Sequence, residues 1–197
     1  MNKKELDDVF PRDYWLNELE IPYLFRKAAE ADGPIVEIGA AYGGSTTVLL
    51  LGKPRGVRVV SVDSFVGDSM GGFRATAVEC RAAVRQAAGE ALYRDWTLIA
   101  RPSAEVAATW RSPIGLLYID GDHSYEGVRQ DFECWSPYLL PGASIIFHDS
   151  RRDPTADPHV FAQGWPGPTQ LVRELVAGGT FEVVEWCFSM TELRRRA

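Results

Sequence analysis

The sequence predicts an α/β protein: a doubly wound, mostly parallel sheet of seven strands with helices on both faces. Three observations carry this prediction. Short apolar runs rich in β-branched residues alternate with helical stretches along most of the chain, the pattern of a sheet built from strand–helix units. A strand, a glycine turn and a helix follow one another in Pro34-Ile-Val-Glu-Ile-Gly-Ala-Ala-Tyr-Gly-Gly-Ser45, which brings backbone close to a ligand at a helix N-terminus. Polar residues recur at the carboxyl ends of the expected strands, at Glu37 and Gly39, Asp63, Ser103, Asp120 and His148-Asp149. Open α/β sheets bind their ligands along that edge.

Each element has its own local reason. Residues 1–33 form an N-terminal helical segment, with Pro22 in a first turn and Tyr23, Leu24, Phe25 and Ala28 on an apolar face. Asp32-Gly33-Pro34 ends it. Ile35–Ile38 has the length and branching of a buried parallel strand. The next helix starts at Ser45, with Ser45 or a glycine near its cap, and closes at Gly52-Lys-Pro54. Val57–Asp63 is the second strand. Residues 64–75 are glycine-rich and irregular and carry Phe65 and Phe73. Alanines and arginines over residues 76–91 predict a helix. Trp96–Ala100 is the third strand, Ala104–Trp110 a short helix and Gly115–Asp120 the fourth strand. The helix Ser124–Trp135 sets Tyr125, Val128, Phe132 and Trp135 on one side. Pro141-Gly142 is read as a turn before the fifth strand, Ser144–His148. Residues 151–168 read as a surface loop and Thr169–Ala177 as a helix. Phe181–Phe188 is the sixth strand and Met190–Arg194 a short seventh. No repeat or boundary divides the chain, so residues 1–197 read as one domain.

Composition narrows the function classes. The 197 residues carry a formal net charge of -6, which offers no electrostatic footprint for nucleic acid. The one basic run, Arg194-Arg-Arg196, reads as a solvated tail. No apolar stretch approaches the roughly 20 residues that span a bilayer, so no membrane partner is expected. The N-terminus lacks an apolar export core. Cys80, Cys134 and Cys187 lack metal-type spacing and read as buried thiols of a reducing compartment. The expected location is the cytoplasm.

The glycine turn also discriminates between ligands. A nicotinamide fold favours G-x-G-x-x-G, but here Ala41 fills the second glycine position. Glu37, two residues before Gly39, suits a ligand with an ammonium group better than one with phosphates. Asp63 follows Gly39 by 24 residues at the end of the second strand, placed either to accept ribose hydroxyls or to leave the strand in an Asx-turn. The densest polar stretch is Leu117-Tyr-Ile-Asp-Gly-Asp-His-Ser-Tyr-Glu-Gly-Val-Arg-Gln-Asp131, followed by Leu140-Pro-Gly-Ala-Ser-Ile-Ile-Phe-His-Asp149.

The turn E-x-G-x-x-x-G-G-S resembles the first motif of class I S-adenosylmethionine (SAM)-dependent methyltransferases. The I-D-G-D-H-S-Y turn, the leucine-proline-glycine turn and the strand ending in His-Asp resemble methyltransferase family 24, relatives of the macrocin O-methyltransferases. The resemblance runs from about Ile35 to Asp149. It implies a Rossmann-like fold and a SAM-dependent O-methyltransferase acting on hydroxyls of sugars or other secondary metabolites. It implies Glu37, Gly39, Ala40 and Ser45 around the methionine part of SAM, Asp63 on the ribose, Ser103 near the adenine and Asp120 within the cofactor site. Asp120 and Asp149 match positions that hold a divalent cation in metal-dependent relatives. His148 matches a position that is acidic in the macrocin-like members, and would join the metal ligands. Two carboxylates and water suit Mg²⁺, whereas a histidine shifts preference towards Mn²⁺, Fe²⁺ or Zn²⁺.

The implied chemistry needs a base, because an alcohol is a poor nucleophile until its proton leaves. Asp122 is the expected base, with His123 as its rival or as a helix-cap or cofactor contact. A metal-free methyltransferase using His123 or His148 as base, and a catalytically silent SAM-binding subunit, are the alternatives. Asp68, Met70, Phe73, His159 and Trp165 are expected around the small-molecule acceptor, and a homo-oligomer is compatible with this reading.

Overall fold

In a computed structural model, residues 1–12, 14–67, 75–153, 155 and 163–196 are described. Asp68, Met70, Phe73 and His159 lie outside them. The elements in order are α1 (Lys3–Asp7), α2 (Glu20–Ala29), β1 (Ile35–Ile38), α3 (Gly44–Gly52), β2 (Val59–Val62), α4 (Ala77–Tyr93), β3 (Trp96–Ile99), α5 (Ser103–Thr109) and β4 (Ile114–Ile119). Then come α6 (Tyr125–Trp135), a 3-10 turn (Ser136–Tyr138), β5 (Leu139–Phe147), α7 (Pro166–Ala177), β6 (Phe181–Cys187) and β7 (Met190–Arg195).

All seven strands form one sheet in the order β3-β2-β1-β4-β5-β7-β6. The first five run parallel, and β7 lies antiparallel to both neighbours. The order reverses between β1 and β4, so the switch point lies beside the glycine turn. Alternate strand residues feed two cores. Ile35, Val59, Leu116 and Ile146 face the layer of α2, α3 and α4. Val36, Val62, Leu117 and Ile145 face α5, α6 and α7.

Three boundaries differ from expectation. Pro141-Gly142 does not end a strand. It sits inside β5 where the register against β4 breaks, Leu139 pairing Ile114 and Ser144 pairing Leu116. A bulge absorbs the turn-forming residues because proline there owes no ladder hydrogen bond. Helix α7 starts at Pro166 rather than Thr169, since the first turn has no intrahelical use for an N–H. The β6–β7 hairpin turns on Phe188 and Ser189. Of the cysteines, Cys80 is buried, and Cys134 and Cys187 only half-buried. Among the described residues, no helix is long and apolar enough to cross a membrane.

Candidate active site

A cavity of about 570 Å³ opens at the carboxyl ends of β1, β2, β4 and β5. Its floor is the glycine turn. Gly39 has φ 89°, and a Cβ there would stand 1.9 Å from the Asp120 carbonyl oxygen, so only glycine lets the two strand ends meet. A Cβ at Gly44 would lie 2.6 Å from Cβ of Tyr14, which brings the N-terminal segment across the start of α3. Tyr14, Trp15 and Leu16 accordingly line the cavity, a contribution that nothing in residues 1–33 signalled.

Asp63 organises this floor. Its Oδ2 accepts from the amides of Ala40 at 2.9 Å and Ala41 at 2.8 Å, and its Oδ1 from the Phe65 amide at 2.7 Å. Ala41 sits at φ 45°, a left-handed conformation that costs a residue with a Cβ roughly 1 kcal/mol or more. The carboxylate holds the turn in that shape. The Asx-turn and a cavity-facing position therefore coexist, because Asp63 also lines the cavity.

Gly39, Ala40, Ser45, Ser103 and Asp120 line the cavity as expected. Glu37 does not. It is fully buried beneath the turn, where it accepts from Ser45 Oγ at 2.6 Å, Thr46 Oγ1 at 2.5 Å and the Ser61 hydroxyl. Burial pushes its carboxyl up to about 7, against the pull of those three hydroxyls. Glu37, expected beside the ligand, instead lies behind Ser45, which lines the cavity and donates to it. Ser103 donates to Asp131, a buried carboxylate of α6 that burial raises to about 6 against the pull of Ser103. Asp131 was legible in principle, because it falls on the apolar stripe of α6 between Val128 and Phe132.

The polar cluster lies where β4 and β5 end. His148 Nδ1 stands 3.1 Å from Asp120 Oδ1 and 3.4 Å from Asp149 Oδ1, while its Nε2 stands 3.3 Å from Glu20 Oε2. His123 Nε2 is 3.2 Å from Asp149 Oδ2 and 3.6 Å from Asp120 Oδ1, and its ring packs 6.0 Å from that of Trp165. Trp165 backs the histidine and is not among the cavity's lining residues. Burial works against ionisation of Asp120, but His148 and His123 outweigh it and hold the carboxyl far below the usual range. Burial also works against charge on His148, and Asp120 and Asp149 outweigh it, raising the imidazole well above its ordinary value. Asp149 holds φ 50°, strain of the kind stored at functional sites.

Asp120, His123, His148 and Asp149 each offer one donor atom, all within 4.8 Å of one another. A divalent ion with donors at roughly 2.0–2.2 Å spans such a set, so these residues fit one. Asp122 is not a member. Its carboxylate accepts from the Ser124 hydroxyl at 2.8 Å and amide at 3.3 Å, against the first turn of α6. Asp122 lines the cavity as well, with its carboxylate also engaged at the helix start, where an N-terminal turn offers an acidic residue amide donors. Glu20 was missed. It stands at the start of α2, where the Asn17 amide donates to its Oε2 at 2.8 Å. Nothing local announces the histidine 128 residues away.

Comparisons with known proteins agree with this geometry. The profile of the family described as Methyltransferase domain, methyltransferase family 24, matches residues 36–150. The uncharacterized protein y4gI of Sinorhizobium fredii is 31% identical over 120 residues, 59% of this chain and 13% of that protein. The chain thus spans only a small part of that relative's length. Cofactor-bound Rv0187 from MTB superposes with a TM-score of 0.70 at 16% identity, over 98% of this chain and 87% of that one. The O-methyltransferase TomG from Streptomyces achromogenes, involved in tomaymycin synthesis and bound to SAM, does so with 0.70 at 13% identity, over 100% and 92%. Such distant likenesses establish the fold, whereas the profile covers more than half of the chain. By that match, its strand order and the turns that build its cavity, the chain belongs to methyltransferase family 24, with the class I SAM-dependent methyltransferase fold.

Proposed function

We propose that this protein transfers the methyl group of SAM to a hydroxyl of a small molecule, a sugar or another secondary metabolite, with a divalent ion at Asp120, His148 and Asp149. One observation carries the proposal: four convergent metal-type donors stand beside a cavity floored by the family's glycine turn. Gly39, Ala40 and Ser45 would flank the methionine end of SAM, Asp63 the ribose and Ser103 the adenine. The ion, when bound, would acidify and orient the acceptor hydroxyl.

The chain's own residues then do the rest. Methyl transfer is an in-line displacement, so donor and acceptor must be held in line and dry. Tyr14, Trp15 and Phe65 line the cavity and supply apolar wall. His123 takes the acceptor's proton at Nε2. It is 15% exposed against 5% for His148, so it stands on the open side of the cluster. Asp149 and Asp120 stabilise the imidazolium that forms. Asp120 stays an anion, and Tyr118, kept protonated by its burial, donates to its Oδ2 at 3.2 Å.

A second reading has one observation in its favour. His148 already bridges three carboxylates, so two histidines could balance the cluster's charge with no ion, leaving His123 as a metal-free base. The test is methyl transfer from labelled SAM to a panel of hydroxylated sugars and phenols, run with and without added Mg²⁺ or Mn²⁺ after chelation. Product formation that needs the ion supports the first reading, and ion-independent turnover the second. Tight SAM binding without product from any acceptor favours a silent binding subunit.

A further inference from the structure

We infer that Glu20, on the N-terminal helix α2, is the positioning residue that turns His148 into a metal ligand and so favours a transition ion over Mg²⁺. This rests on the metal reading proposed above and extends it to a residue outside the family-matched segment, which begins at residue 36. The geometry is a clamp. The two ring nitrogens of His148 face opposite partners, Nδ1 towards Asp120 at 3.1 Å and Asp149 at 3.4 Å, Nε2 towards Glu20 at 3.3 Å. With the Nε2–H donated to Glu20, the lone pair on Nδ1 points at the other donors. An imidazole ligand is commonly fixed in this way by a carboxylate on its far nitrogen.

Glu20 is itself held rigidly. It is 1% exposed. Its Oε1 accepts from the Ser189 amide at 3.1 Å and from the Ser189 hydroxyl, and its Oε2 from the Asn17 amide at 2.8 Å. Ser189 also accepts from the Asp149 amide at 3.4 Å, so the β6–β7 turn links both residues behind the cluster. A carboxylate this deeply buried is costly unless its partners are fixed, and His148 is the ionisable one among them. Mg²⁺ is satisfied by carboxylates and water and would lean on Asp120 and Asp149. Mn²⁺, the first member of the transition series along which affinity for nitrogen donors rises, takes an imidazole more readily than Mg²⁺ does and gains from a well-aimed His148.

Calorimetric titration of the SAH-saturated protein with MnCl₂ and, separately, MgCl₂ tests this, with SAH affinity and melting temperature as fold controls. Glu20→Gln should weaken Mn²⁺ binding by about 10–100-fold and change Mg²⁺ binding by no more than about 2-fold. Unchanged Mn²⁺ affinity overturns the proposal. An equal loss for both ions also overturns it, because Glu20 would then only support the fold. A wild-type protein that binds neither ion removes the metal reading itself, whereas binding by the wild type with no effect of Glu20→Gln removes only the role of Glu20. If Glu20→Gln fails to fold, Ser189→Ala takes one hydroxyl from the same carboxylate, keeps the Ser189 amide bond to it, and gives up only the long 3.4 Å contact with the Asp149 backbone. It should weaken Mn²⁺ selectively, by about 3-fold, and equal affinities for wild type and variant overturn the proposal.

Discussion

Two charge clusters lie along β5, one beside the strand and one beyond its carboxyl end, and they are closed by different cations. Beside the strand, Glu192 of β7 pairs with Ile146 and is fully buried. It is held by Lys27 Nζ at 2.8 Å, Arg194 Nη2 at 3.1 Å, Ser144 Oγ at 2.5 Å and the Tyr23 hydroxyl at 3.4 Å. Burial pulls the Lys27 ammonium down, but Glu192 and Glu185 outweigh it and raise it overall. At the carboxyl end, Asp120, Asp149 and Glu20 are held by histidines. Lysine and arginine stay charged and cannot accept a proton or ligate an ion at neutral pH. Histidine can do either. The kind of cation, and the cavity beside the histidines, separate a cluster that supports the fold from one that can carry chemistry.

The largest way to break this comparison is to empty the carboxyl end of metal. Exhaustive chelation should abolish methyl transfer, and Mn²⁺ or Mg²⁺ should restore it while SAH binding is unchanged throughout. Full turnover in protein shown metal-free by elemental analysis would sink the metal reading.

Next in size is the base. His123→Gln should lower turnover by about 10²–10⁴-fold, the usual worth of a general base. Asp122→Asn should cost under about 10-fold, because that carboxylate is engaged by Ser124. The reverse ranking, with SAM still bound in both variants, would return the role to Asp122.

The Glu192 cluster should respond in stability instead. Lys27→Met leaves Glu192 buried among fewer cations, and removing one partner of a buried pair costs about 3–5 kcal/mol. Urea denaturation would measure the loss, and turnover per folded molecule should stay level. A turnover defect without a stability defect would mean that the two clusters are not separate in function.

These contrasts show what was legible in the sequence. The glycine turn, Asp63, Asp120 and His148-Asp149 were readable because strand ends announce themselves locally and the fold gathers them at one edge. The mostly parallel, doubly wound sheet followed from the alternation of strands and helices, whereas the order of its strands came only with the structure. What failed depends on contacts across the chain. Glu20 acts on a residue 128 positions away, and Asp131 on one 28 positions away. Glu37 looked ligand-facing because strand position alone does not reveal that Ser45, Thr46 and Ser61 converge beneath the turn. Asp122 shares the cavity with Asp120, and its hydrogen bonds to Ser124 are local ones that the sequence alone does not rank.

Glu37 provides a smaller, pH-dependent test. Its carboxyl is raised from 4.5 to about 7 by burial. The native state therefore binds the proton more tightly than the unfolded chain. The stabilisation from that proton is full below pH 4.5 and fades as pH rises through about 7. Over this window the stability of wild type relative to Glu37→Gln should fall by about 3 kcal/mol and then level off. Denaturation of both proteins at a series of pH values isolates the effect, and a difference that grows with pH would show that Glu37 folds as an anion.

The smallest expected effect concerns Asp63, which has two jobs that one variant confounds. Asp63→Ala should weaken SAH binding by about 1–3 kcal/mol, the range for a charge-assisted hydrogen bond. Part of that loss would come from the turn, because Ala40, Ala41 and Phe65 all donate to this carboxylate. Three donors leave it room for roughly one more, given about four acceptor positions on a carboxylate. Contact with the ribose should therefore be a single strong bond rather than a symmetric pair. A 2′-deoxy and a 3′-deoxy analogue of SAH separate the jobs. One of them should bind wild type more weakly by about 1–2 kcal/mol and lose nothing further in Asp63→Ala, because the bond is already gone. Penalties that persist unchanged in the variant would show that Asp63 acts on the cofactor only by holding Ala41 in its left-handed turn.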